Sequence, residues 1–139
     1  MKALLDHFCC HWMVHRPDKA MFTKRAVILT NSIGAPNSSA QKDIATSLKW
    51  MGVSDVHRLG FGLMDGVIWD ELSGKRRNKI KSKTVKLAKK YVAVQPGRMG
   101  IRVRVLFLIC KMLHKANLQK EEIPSADNQH WIQNGWLKE

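Results

Sequence analysis

Between Arg25 and Gly62 a short apolar, β-branched run, a small-residue loop, a helical stretch and a second extended segment follow one another, and this order constrains the fold more than anything else in the chain. The run is Ala26-Val27-Ile28-Leu29-Thr30, and Asn31-Ser32-Ile33-Gly34-Ala35-Pro36 follows it as a loop. Ser38 or Ser39 can cap the helix, whose positions Ile44, Ala45, Leu48 and Met51 fall on one face before Gly52 stops it. Val53 to Phe61 supplies the second strand. Two strands joined through a helix form a parallel pair with a right-handed crossing, which needs helices on both faces and further strands at its edges. No other segment reads as an equally convincing strand.

The chain of 139 residues suits one domain, and 45% hydrophobic content is enough for an ordinary core. Lysine and arginine number 24 against 11 acids, a net charge of +13 that favours an anionic partner: nucleic acid, phospholipid head groups or a phosphate-bearing cofactor. The most apolar run, Val103 to Cys110, is far shorter than the roughly 20 residues of a membrane span. The start, Met1-Lys2-Ala3-Leu4-Leu5-Asp6-His7, lacks the apolar block and cleavage site of a secretion signal, so the expected location is cytoplasmic.

The three cysteines, Cys9, Cys10 and Cys110, form neither a disulfide framework nor a Cys-x-x-Cys pattern, and they read as buried thiols. His7, His11 and His15 recur at steps of four with Cys10 nearby, but a helical histidine row lacks the four-ligand closure of a structural metal site, and no metal is expected. The P-loop signature and the dinucleotide fingerprint are both absent; Gly60, Gly62 and Gly66 miss the spacing of the latter. Thr30 to Ser39, with Gly34 and the hydroxyls of Ser38 and Ser39 before a helix, also reads as a phosphate nest, although the same residues serve as a turn and an N-cap.

Residues 1 to 13 place Leu4, Leu5, Phe8 and Trp12 on one helical stripe, ended by His15-Arg16-Pro17. From Lys75 to Tyr91, Ile80, Leu87, Ala88 and Tyr91 keep helical phase while lysines and arginines fill the remaining positions, giving either a solvated face or one that tracks phosphates. Gln95-Pro96-Gly97 is a breaker. Ile101 to Phe107 alternates as a strand would, Val105 to Leu113 suits a short buried helix, and Leu106, Ile109 and Leu113 with Arg102, Lys111 and Lys115 suit an interfacial basic helix. Ala116 to Glu139 reads as a polar tail punctuated by Trp131 and Trp136.

That tail, with Asp127, Trp131 and Gly135-Trp136-Leu137, resembles the closing segment of the flavodoxin-like NAD(P)H-dependent oxidoreductases, the FMN reductase superfamily. Met1 to Asp6 resembles the helix after that family's third strand, His15-Arg16-Pro17 the turn to its fourth, and Lys24 to Thr30 the fourth strand. Asn31 to Pro36 resembles the flavin-facing loop, Lys49 to Val53 the exit of the next helix, and His57 to Gly62 the fifth strand. The order agrees across the whole chain.

The resemblance implies an α/β fold, the later half of a flavodoxin-like doubly wound parallel sheet, open and truncated, with a helical C-terminal extension. Residues 1–94 form the partial domain and residues 95–139 the extension packing on it. The family's FMN phosphate loop, which follows its first strand, would precede Met1. The implied function is hydride transfer from NAD(P)H to FMN and on to a small acceptor such as a quinone, incomplete in the isolated chain, with the flavin doing the redox chemistry and no catalytic acid or base required. Thr30, Asn31, Ser32, Ile33, Gly34 and Ala35 are the expected flavin contacts. Only one glycine stands in that loop, where the family usually has adjacent glycines after two threonines. The exposed Val-Ile-Leu edge is expected to recruit a second copy or a front-half polypeptide. The competing reading is a non-enzymatic remnant or interaction subunit that sets its basic helix 75–91 on an anionic partner.

Overall fold

A computed structural model describes residues 2–34, 38–63, 68–92 and 97–138. Their order is α1 (Lys2–His7), a 3-10 turn (Phe8–His11), a second one (Lys19–Thr23), β1 (Arg25–Ser32), α2 (Ser38–Trp50), β2 (Asp55–Gly62), a third 3-10 turn (Trp69–Glu71), α3 (Gly74–Val92), α4 (Ile101–Leu118) and α5 (Ala126–Gln133). The fold is mixed α/β. Among the described residues its sheet has two parallel strands, paired from Arg25 with Asp55 to Ser32 with Gly62.

The strand-helix-strand unit forms where the sequence places it, with shifted bounds: the second strand runs Asp55–Gly62 in place of Val53 to Phe61, and Ser38 and Ser39, expected as caps, lie in the first turn of α2. Asn31 and Ser32, read as loop because they are polar, continue β1, since Phe61 and Gly62 lie opposite them and carry the ladder on. The helix between the strands ends as Gly52 dictates. At φ 107° this glycine lets Gly52 N–H reach Lys49 O and Val53 N–H reach Leu48 O, the paired bonds of a Schellman cap.

Successive side chains of a strand face opposite ways. The face carrying Ile28 and Thr30 receives α2, where Gln41 and Ala45 are buried and Gln41 Nε2 donates to Thr30 Oγ1 at 2.7 Å. The other face, carrying Leu29, Asn31, His57 and Phe61, receives α3. That helix is tied down at both ends: Arg76 Nη2 donates to Gly62 O at 2.7 Å, and the Tyr91 hydroxyl donates to Asp55 Oδ1 at 3.2 Å beneath the Arg25 guanidinium. Between the ties it covers the sheet loosely, leaving Val27 43% and Leu29 60% exposed. No third strand pairs with the outer edge of β1 among the described residues.

The densest packing lies at the amino ends of the strands. Met13, Val103, Cys110, Trp131 and Leu137 form the buried cluster, with Phe22, Trp50, Met99, Phe107 and Trp136 against it. Two bonds seat α4 there, Gly100 N–H to Ser54 Oγ and Gly97 N–H to Thr23 O, both at 2.7 Å. Residues 101–118 are helical throughout, so neither the alternation at Ile101–Phe107 nor a short helix from Val105 describes them fully. A strand there would have no neighbour to pair with, whereas a helix buries Val103 and Cys110 on one side.

The segment read as a polar tail is the centre of this core. Trp131 is 0% exposed, 5.0 Å from the Phe107 ring and 5.2 Å from that of Trp136. Gly135, at φ 71°, makes the return possible: Gly135 N–H bonds Ile132 O and Trp136 N–H bonds Trp131 O, folding Trp136 and Leu137 back onto the helix they have just left. The first helix is shorter than its apolar stripe suggests. It stops at His7, because Met13 is drawn out of helical register to donate to Trp50 O at 2.9 Å and to enter the core.

Candidate functional site

Ligands of open parallel sheets favour the crevice beyond the carboxyl ends of the strands. In this chain the amino ends are closed by the α4–α5 layer, and the carboxyl ends open onto a crevice of about 390 Å³ under the first half of α3. Leu29, Thr30 and Asn31 of β1 and Phe61 and Leu63 at the end of β2 form its floor, while Trp69, Leu72, Ile80 and Thr84 form its wall and roof. The lining is predominantly apolar and includes two aromatic rings.

Three cations of α3 lie beside residues next to the lining, as do the acids Asp70 and Glu71. Arg76, one turn into α3, is fixed on Gly62 O; Lys81 Nζ lies 5.9 Å from the centre of the Trp69 ring; Arg77 Nη1 is 3.6 Å from Asp70. The N-terminal end of α3 adds the positive end of its dipole on the same side. An apolar slot with two aromatic rings in its lining is chemically suited to a flat aromatic ligand.

Of the six expected flavin contacts, Thr30 and Asn31 line this crevice. Thr30 Oγ1 is engaged by Gln41, which fixes the end of β1 to α2. Ser32 pairs with Gly62 and its carbonyl accepts Leu63 N–H at 2.6 Å, so it orders the turn out of β2. Ile33, 67% exposed, and Gly34 project past the sheet, and a side chain at Gly34 would meet nothing within 4 Å. Ala35 lies outside the described residues, as do 36 and 37, and with them the middle of the alternative phosphate nest from Thr30 to Ser39.

Sequence reasoning did not single out Phe61, Trp69 and Leu72, which also line the crevice. Phe61 was legible as the last apolar residue of the second strand; Trp69 lies in a turn with no periodicity to mark it.

The histidine row does not converge. His15 leaves it for Asp127, with Nδ1 to Oδ2 at 2.8 Å, and Arg16 Nε reaches the other oxygen at 3.1 Å. Among the described residues no three His, Cys, Asp or Glu side chains come together as metal ligands. Cys9 and Cys10 are half-buried, and only Cys110 is fully buried, which pushes its thiol pKa up. No helix of the described residues is long and apolar enough to cross a membrane.

No family model, no curated protein and no solved structure matches this chain.

Proposed function

We propose that the chain is the ring-binding part of a flavodoxin-like, NAD(P)H-dependent FMN oxidoreductase that reduces a small acceptor such as a quinone. The observation that carries this reading is the crevice with two aromatic rings at the carboxyl ends of a parallel strand pair. FMN, when bound, supplies the hydride chemistry, with NAD(P)H as co-substrate. Phe61 and Trp69 offer faces for the ring, Thr30 and Asn31 close one side, and Ser32, Ile33 and Gly34 extend the contact along the same edge. Arg76 and Lys81 supply positive charge for a phosphate. The outer edge of β1 supports completion of the sheet by a second copy or a complementary polypeptide.

The test is NADPH and NADH oxidation by the purified chain with FMN and a quinone, compared with a Trp69→Ala variant. Oxidation above the free-flavin rate that falls in the variant supports the reading. A rate equal to that of free flavin, from a chain shown to be folded, contradicts it for the chain alone.

A second reading is favoured by one observation: α3 has no fully buried residue, and Lys75, Lys79, Lys83, Lys86, Lys89 and Lys90 are all exposed on it. As an interaction subunit the chain would set this helix on an anionic partner, and its binding to nucleic acid would weaken steeply with added salt.

A further inference from the structure

Helix α4 is apolar on two opposite sides. One side, with Val103, Cys110 and His114, is buried. On the other, Ile101, Val105, Leu108, Ile109, Met112 and Leu113 recur at the spacing of one helical stripe, and all are 49–80% exposed. An exposed apolar stripe of this size marks a surface that is expected to be covered. None of the described elements covers this one.

The charges of α4 indicate what does. The helix contains no Asp or Glu, and its cations are Arg102, Arg104, Lys111 and Lys115. At about 100° per residue, Arg104, Lys111 and Lys115 fall in a single sector of about 40° bordering Leu108, and Arg102, in the first turn, falls between the directions of Ile109 and Leu113. An apolar ridge with a row of cations along one flank is the pattern of a helix lying in a membrane interface, its apolar side chains at the acyl boundary and its cations among phosphates. The chain's net charge of +13 adds long-range attraction to such a surface. Pairing with a second copy fits less well: in an antiparallel pair the row meets its own counterpart, with no acid on either helix to offset it. A ridge also lacks the groove in which a partner helix would sit.

We propose that the exposed face of α4 docks the protein on an anionic phospholipid surface, with Leu108, Ile109, Met112 and Leu113 entering the interface and Arg104, Lys111 and Lys115 contacting the head-group phosphates. Leu106, assigned to the lipid side from sequence, packs against the core instead. The helix is about 27 Å long and lies along the surface without crossing it.

The test is sedimentation of the full chain with vesicles of phosphatidylcholine containing phosphatidylserine, against vesicles of phosphatidylcholine alone. The expected result is binding to the anionic vesicles that drops at least about tenfold in a Leu108→Asp/Met112→Asp variant, which alters only exposed positions, with circular dichroism showing an unchanged fold. An Arg104→Glu/Lys115→Glu variant is expected to lose binding as well. Failure of the folded wild-type chain to bind overturns the proposal. So does undiminished binding by the Leu108→Asp/Met112→Asp variant, which would assign the attraction to the lysines of α3. Light scattering that shows a dimer split by that variant also overturns it, making the face a contact between copies.

Discussion

Arg25 and Asp55 face each other across the first rung of the β1–β2 ladder, with Arg25 Nε donating to Asp55 Oδ2 at 2.5 Å and the Tyr91 hydroxyl donating to the other carboxylate oxygen. One ion pair thereby joins both strands and the far end of α3. Burial pushes the Asp55 pKa up, but the hydrogen bond and charge of Arg25, the Tyr91 hydroxyl and the Lys90 charge outweigh it, and the carboxyl titrates below its ordinary 3.8. A folded pKa below the unfolded one means that the contribution is complete above 3.8 and is lost as the pH falls through the folded value. Urea unfolding followed against pH is expected to show a steeper loss of stability below 3.8 in the wild type than in Asp55→Asn. Because the pair is partly exposed, the double-mutant coupling with Arg25→Ala is expected to be about 0.5–1 kcal/mol.

Trp131 is expected to be the costliest single truncation. It is fully buried among Phe107, Trp136 and His114, and its Nε1 donates to His15 O at 2.6 Å. Trp131→Ala removes the centre of the core and leaves that carbonyl unpaired, an expected loss of about 3–5 kcal/mol by denaturant unfolding. Trp69→Ala, at the half-exposed rim of the crevice, is expected to cost under about 1 kcal/mol.

Gly52 tolerates no side chain for two separate reasons. Its φ of 107° is one that other residues rarely adopt, and a Cβ there would overlap the Phe22 ring, which packs edge-on against Phe107. Gly52→Ala is expected to lower stability by more than about 1 kcal/mol, whereas Gly34→Ala, with open space around it, is expected to change it by less than about 0.5 kcal/mol.

A polar chain, buried at His114 and Asn128, ties α4 to α5. The Glu121 carboxylate accepts from Asn128 Nδ2 at 2.7 Å and from Ser125 N–H at 2.8 Å; these bonds, the backbone one foremost, hold its pKa below the ordinary carboxylate value. Since a carboxylate only accepts, Asn128 must present Nδ2 to it and Oδ1 to His114, so His114 donates from Nδ1. Its Nε2 is buried with no hydrogen-bond partner among the described residues. Asn128→Leu removes the acceptor and orphans the Nδ1 donor too, and is expected to cost about 1–3 kcal/mol in thermal or urea unfolding.

The parallel unit was legible because its signals are local: a β-branched run, a capped helix with one buried face, and a glycine at its stop. What sequence could not carry is the competition between elements. Asn31 and Ser32 are polar and read as loop, yet the backbone of β2 opposite them decides the matter. Trp12 keeps helical phase with Leu5 and Phe8, yet the next residue, Met13, is fully buried in the core and bonds Trp50 O through its N–H. In the C-terminal segment the apolar residues are few and large, and Trp131, Trp136 and Leu137 converge only through the turn at Gly135. For the candidate site, Thr30 and Asn31 were named through the resemblance of their loop to a flavin-facing one. Phe61, Trp69 and Ile80 reach the same crevice from separate segments, and only the placement of α3 over the sheet brings them together.

A flavin ring in the crevice between β1, β2 and α3, as proposed, is tested by titrating FMN with the purified chain, followed by flavin fluorescence, with Trp69→Ala and Phe61→Ala alongside and light scattering on the same samples. The expected result is saturable quenching by the wild type, in the monomer or in an assembled form, weakened at least about tenfold by either variant. Absence of quenching by the folded wild-type chain, or quenching that both variants reproduce in full, would contradict it.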